Sequence, residues 1–202
     1  GSEMCIRDRI KRSYELDKEL EICEQFGLTR VNSGKSRRKA DAECLERNEF
    51  WSIKNARNSS TQVYLTTLKK FRERFNVPTG CIDLFLGDKD KNRFNLDEIP
   101  ADMVAETLEW LNTHKDALIK FVISGEETIT HVCFRDLNNN KVYVSSPDDI
   151  LSKVAHSEWR VGARNGSFQL VHNGKVIFHL QREGKGKSPN NPLFHIHRNL
   201  FN

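Results

Sequence analysis

The dipeptide Asn173-Gly174 stands between two runs that alternate apolar and polar residues, SFQLV and KVIFHLQR. The tightest hairpin turn needs positive φ at both central residues, and Asn-Gly meets that demand at least steric cost. This pair therefore commits the end of the chain to antiparallel β-structure. The same period of two begins near residue 128, where ITHVCFRD and KVYVSS flank DLNNN as an earlier hairpin, and it returns in LFHIHRNLF as a last strand. Between the hairpins, Pro147-Asp148-Asp149 opens a short helix that runs to Val154.

Upstream the period is helical. Ile10, Tyr14, Leu16, Leu20 and Cys23 recur at spacings of three and four, which predicts an amphipathic helix over 6–26 stopped by Gly27. A basic loop, NSGKSRRK, leads into two short alternating runs, ADAEC and EFWSIKNA, joined by a polar turn. Asn58-Ser59-Ser60 forms a cap cluster before TQVYLTTLKKFRERF, which reads as a second helix. CIDLFLG reads as a buried strand, and 101–123 as a helix or a broken pair re-capped at Thr113. Residues 1–5 read as a cloning or assembly remnant. The expectation is a single α/β domain over 6–202, built on a mixed central sheet flanked by helices, with C-terminal β-hairpins. Within it, a catalytic core spans about 10–125, and a hairpin-rich part that contacts a partner spans about 126–202.

Composition narrows the function classes. The five cysteines (Cys5, Cys23, Cys44, Cys81, Cys133) are odd in number and form no CxxC pair, against a disulfide framework or a structural zinc site. No apolar run reaches the roughly 18 residues of a membrane helix. Together these point to a cytoplasmic protein of a bacterium or a phage-infected cell. A net charge of +4 permits a polyanionic partner without requiring one. GxxxxGK[ST] and GxGxxG are both absent from the sequence, which removes the common nucleotide-binding loops.

Asp41, beginning one alternating run, and Lys54, on the next, fall on one sheet surface. They are either a solvated cross-strand pair or the residues that hold a divalent metal and a phosphate. The second arrangement resembles the PD-(D/E)xK nuclease superfamily, which includes many type II restriction endonucleases and phage and homing endonucleases. KADAEC and WSIKNA carry the resemblance, over about residues 10–90, with a helix before and after them in the family's order. It implies a restriction-endonuclease-like fold and Mg²⁺-dependent hydrolysis of phosphodiester bonds in double-stranded DNA, Mn²⁺ being able to substitute. It also implies roles for Asp41 on the metal and Lys54 on the phosphate.

One position departs from the pattern. Ser52 stands where the motif has an acid two residues before the lysine. Another carboxylate must complete the metal site. Glu43 shares a strand face with Asp41, and the resemblance allows a glutamate from the first helix, with Glu19 ahead of Glu15. Gln62, expected on the following helix, could touch the metal's water. The alternative is a nucleic-acid-binding module that has lost catalysis.

Cations cluster where a nuclease would use them: Lys35, Arg37, Arg38 and Lys39 before the acid, and Arg182, Lys185 and Lys187 with Gln181 after the last hairpin. These are the expected DNA contacts, the hairpin reading bases and a two-fold homodimer reading a palindrome. Lys69, Lys70, Arg72 and Arg74 read instead as ordinary solvated surface. His195 and His197 alternate on one strand face but have no third ligand near in sequence. Asp83 in CIDLFLG needs a partner if that run is buried.

Overall fold

The computed structural model describes residues 3–31, 38–78, 80–87, 95–183 and 191–202. In chain order its elements begin with α1 (Glu3–Phe26), β1 (Thr29–Arg30), β2 (Ala42–Cys44), β3 (Glu49–Ala56), β4 (Ser60–Leu65), α2 (Leu68–Phe75) and α3 (Cys81–Gly87). There follow α4 (Ala101–Thr113), α5 (Lys115–Ser124), β5 (His131–Asp136), β6 (Lys141–Ser145) and α6 (Pro147–Ala155). Last come β7 (Glu158–Val161), β8 (Phe168–His172), β9 (Lys175–Arg182) and β10 (Pro192–His197). None of the described helices is long and apolar enough to cross a membrane. The chain folds into two compact units, Gly1–Asn58 with Ile123–Pro147, and Ser59–Val122 with Asp148–Asn202.

The first unit is a mixed sheet in the order β1-β2-β3-β5-β6, parallel between β3 and β5 and antiparallel elsewhere. Alternation along β3 sends Trp51 and Ile53 to one face, where they meet Ile22 and Cys23 of α1, Ala42 and Cys133. Trp51 lies between Phe26 and His131, with ring centroids 4.8 and 4.6 Å away. Arg135, only 3% exposed, has its guanidinium fully engaged: Nε donates to Asn55 Oδ1, Nη1 to Glu21 Oε2 and Nη2 to the Lys18 carbonyl. A buried cation with every face paired ties α1 to β3 and β5.

Gly27 ends α1 as expected, at φ +65°, and the Leu28 N–H reaches back to the Cys23 carbonyl at 2.8 Å. That is the left-handed glycine cap of a helix. The apolar stripe expected on this helix is different, however. Ile10, Tyr14 and Leu20 are exposed, and the buried residues are Ile22 and Cys23. A helix of 24 residues is about 36 Å long and a strand of eight about 26 Å, so α1 outruns the sheet it packs on.

The second unit carries an antiparallel sheet in the order β4-β10-β9-β8-β7. Asn173 and Gly174 join β8 to β9 with φ of 49° and 75°, the predicted turn. Two other expectations are corrected. Residues 60–65 form strand β4 against β10, and the helix begins only at Leu68, capped by the Thr67 hydroxyl, which accepts the Lys70 N–H. Consequently Gln62 lies on a strand. CIDLFLG is helix α3, not a strand: Cys81, Ile82 and Phe85 are fully buried at helical spacing, while Leu84 is exposed. Asp83 finds its partner in the Arg72 guanidinium. Phe71 of α2 and Phe85 of α3 meet Phe194 and Phe168, so these helices share one face of the sheet, while the Asn112 side chain of α4 pairs with the backbone N–H and carbonyl of Trp159 on edge strand β7.

Candidate active site

Asp41 sits one residue before β2, clamped through its backbone. Its N–H donates to the Trp51 carbonyl at 2.8 Å, and its carbonyl accepts the Val31 N–H at 2.9 Å. Its carboxylate Oδ2 accepts the Ile53 N–H at 2.7 Å and lies 3.9 Å from Lys54 Nζ. Both side chains are about three-quarters buried, at 24% and 20% exposure, so their attraction is only partly screened by water. The cross-strand meeting expected from the sequence is present. One carboxylate oxygen takes a backbone donor and faces the ammonium.

Glu19 belongs to the same group. It reaches from α1 to Arg30, whose Nε is 3.1 Å from its Oε2. Burial, and then the nearby Asp41 carboxylate, hold Glu19 above the ordinary carboxylate pKa, while Arg30 and Lys54 pull it down. A carboxylate whose proton affinity is raised in part by a second carboxylate marks a place where a cation is stabilising. Glu15 is elsewhere. It is exposed, 4.0 Å from Lys11, and lines a small cavity with Tyr14, Lys18, Asn55 and Arg57. Glu43 turns to Arg38, at 3.6 Å. Ser52 is 1% exposed, and its hydroxyl has no hydrogen-bond partner among the described residues.

Two residues join the site from outside the expected catalytic set. The Lys39 amine is pushed down to about 7, first by burial and then by the Lys54 ammonium, against Asp41 and Glu127. Glu127 accepts the Lys39 backbone N–H and lies 3.7 Å from Arg38 Nε. Arg38 thus bridges Glu43 and Glu127 and borders a cavity of about 610 Å³ lined also by Asn48, Phe50 and Thr128. No sequence signal marks Glu127. It follows α5, far from Lys39 in the chain, and only the parallel placement of β5 beside β3 brings it near.

The remaining candidates belong to the second unit or fall outside the described residues. Gln62 is exposed on β4, opposite His195. Gln181 Oε1 accepts from His179 Nε2 at 3.1 Å. Arg182 is half-buried, with Nε and Nη1 lacking a hydrogen-bond partner among the described residues. Lys35, Arg37, Lys185 and Lys187 lie outside the described residues. Lys69 pairs with Glu73 at 3.9 Å, and Arg74 covers the Phe121 ring.

No cluster of three or more His, Cys, Asp or Glu among the described residues is arranged to hold a metal by protein ligands alone. The donor set still fits Mg²⁺, which keeps several waters and is bound by one or two carboxylates together with substrate phosphate. Asp41 and Glu19 are two carboxylates within electrostatic reach of each other.

No family model and no curated protein sequence matches this chain. Among solved structures it is similar to a crystal structure of the restriction endonuclease MspI in complex with its cognate DNA. The TM-score is 0.52 at 8% identity, over 83% of this chain and 69% of that one. Mixed α/β architecture, two sheets flanked by helices and C-terminal antiparallel strands together make this a restriction-endonuclease-like fold.

Proposed function

We propose that the protein is a metal-dependent, sequence-specific endonuclease for double-stranded DNA, of the restriction or homing kind. The observation that carries this reading is the Asp41 carboxylate held 3.9 Å from the Lys54 ammonium, with Glu19 in electrostatic reach of both. The fold on which they sit supports it. Asp41 and Glu19 would hold Mg²⁺, with Mn²⁺ able to replace it. When bound, the ion supplies a Lewis acid for the phosphate and lowers the pKa of a coordinated water. Lys54 places a positive charge where negative charge grows on the phosphate oxygens, a group that is stabilising only if fixed beforehand. The Ile53 N–H fixes Asp41 Oδ2 and so keeps that carboxylate from rotating away.

Recognition is assigned to the β8–β9 hairpin with Gln181 and Arg182, and phosphate contact to the basic loop that ends in Arg38 and Lys39. A two-fold dimer would present two such sites to the two strands of a palindrome. Incubating supercoiled plasmid with the protein and Mg²⁺ or Mn²⁺ tests the reading: linear or nicked product is expected, and none with EDTA. The second reading, a DNA-binding module without catalysis, is favoured by one observation. Ser52, fully buried and neutral, occupies the position of the motif's second acid. Sequence-selective DNA binding without cutting in either metal would establish it.

A further inference from the structure

The strand register of the second unit places five chemically related side chains in one line. Arg160 of β7 pairs with Gln169 of β8, Gln169 with His179 of β9, His179 with His195 of β10, and His195 with Gln62 of β4. Directly paired residues share a face of the sheet, so the five form a straight row across all five strands. His197, opposite Ser60, and Gln181, two residues from His179, extend it.

This face is opposite to the one on which α2 and α3 pack. α2 and α3 meet the sheet through Phe194 and Phe168, which alternate with the row along their strands. The row contains no carboxylate and one cation. Its members are already ordered by one another. The Gln181 amide oxygen accepts from His179 Nε2, which leaves His179 Nδ1 to accept from His197 Nε2 at 2.6 Å. His195 Nδ1 is 3.3 Å from the Ser60 hydroxyl, and its ring lies tilted against that of His179, with centroids 4.5 Å apart. Burial keeps the imidazoles neutral, so each has one donor and one acceptor, and those of His179 are both taken within the row.

An ordinary wet sheet face carries charged or β-branched residues. Half-buried amides and imidazoles contribute little apolar burial and cost desolvation unless something satisfies them. Gln and Arg are the side chains that read adenine and guanine edges bidentately.

We propose that the face bearing Gln62 and His195 reads base edges in the major groove of duplex DNA, with Arg160 on a flanking phosphate. The inference rests on the endonuclease reading and moves its base contacts from the Gln181–Arg182 end of the β8–β9 hairpin to this face, which Gln181 extends. Strands are about 4.8 Å apart, so Gln62 to His179 spans about 10 Å, inside a groove about 12 Å wide. Arg160 stands about 19 Å from Gln62, beyond the groove and over the backbone.

The test is selection from a pool of DNA duplexes with a randomised centre, in Ca²⁺ so that binding is read without turnover, followed by affinity and salt titration. Wild type is expected to enrich a motif. Gln62→Ala should lose information at one or more motif positions and bind the motif about tenfold to a hundredfold more weakly, with random duplex unaffected. Arg160→Ala should weaken motif and random duplex by the same factor and reduce the slope of log K against log salt by about one. Gln62 and Arg160 are both exposed, so neither variant threatens the core, and a melting curve for each checks folding. The row is overturned if wild type enriches no duplex motif, if it selects only single strands, or if Gln62→Ala and His195→Gln both leave motif and affinity unchanged. Plasmid cutting is measured in parallel. A protein that cuts DNA with its motif indifferent to these residues loses only the row. One that enriches a motif through them yet never cuts loses the endonuclease reading and keeps the row.

Discussion

Acid should weaken the second unit through its histidines, with a size the structure sets. Burial first, and then the neighbouring imidazoles, press His179 down to about 3. Burial and His195 press His197 to about 4, and burial lowers His195. In the unfolded chain each titrates near the ordinary value of 6.5. Below that value the unfolded chain binds protons that the folded unit refuses, so stability is full above 6.5 and falls with pH toward the folded values. A full pH unit is worth about 1.4 kcal/mol per histidine, and at pH 6.5 the unfolded imidazole is already half protonated, so moving from pH about 6.5 to about 4.5 costs roughly 2 kcal/mol for each. His179 and His197 together make that about 4 kcal/mol, a large share of the roughly 5–15 kcal/mol of a typical domain. The carboxylates hold the opposite sign or another window. Glu21 and Glu49 are lowered from 4.5 and weaken the fold only below that value, and Glu19, raised, gains on protonation. Urea unfolding at the two pH values, followed by fluorescence in which Trp159, 1% exposed, reports on this unit, measures the loss. The His179→Gln, His197→Gln double variant should lose most of the pH dependence. If wild type and double variant weaken equally between the two pH values, the imidazoles are not held neutral and the reasoning is wrong.

Asp41→Ala and Lys54→Ala should each abolish plasmid cutting while duplex binding by anisotropy stays within a few-fold, and retained cutting by either removes it from the site. Glu19→Gln should be inactive, whereas Glu15→Gln, Glu43→Gln and Ser52→Ala should keep much of the activity; an inactive Glu43→Gln with an active Glu19→Gln would move the metal to the strand. Arg135→Met removes the partner of Glu21, Asn55 and the Lys18 carbonyl and should cost about 2–4 kcal/mol in urea unfolding of the first unit. An unchanged midpoint would mean that α1 is held by its apolar contacts alone.

Much of this protein is written locally. Asn173-Gly174 dictates its own turn, Gly27 its own helix stop, and the alternation of EFWSIKNA its own strand, because each depends on backbone sterics or on residues within a few positions. The meeting of Asp41 with Lys54 was legible for the same reason: a short turn joins their strands, and antiparallel pairing leaves little choice of partner. TQVYL and CIDLFLG were not legible. Five to seven apolar-rich residues satisfy either period, and the available surface decided, β10 for the one and the Phe168 face for the other. The choice of Glu19 over Glu15 depended on which turn of α1 lies over the sheet, which only the burial of Ile22 and Cys23 reveals. Glu127 beside Lys39, and His179 facing His195, are products of strand order and register. A slip of one residue in β9 would turn His179 to the opposite face. Local sequence fixes what each segment can be; non-local pairing fixes which side chains become neighbours, and the candidate site and the histidine row are both made there.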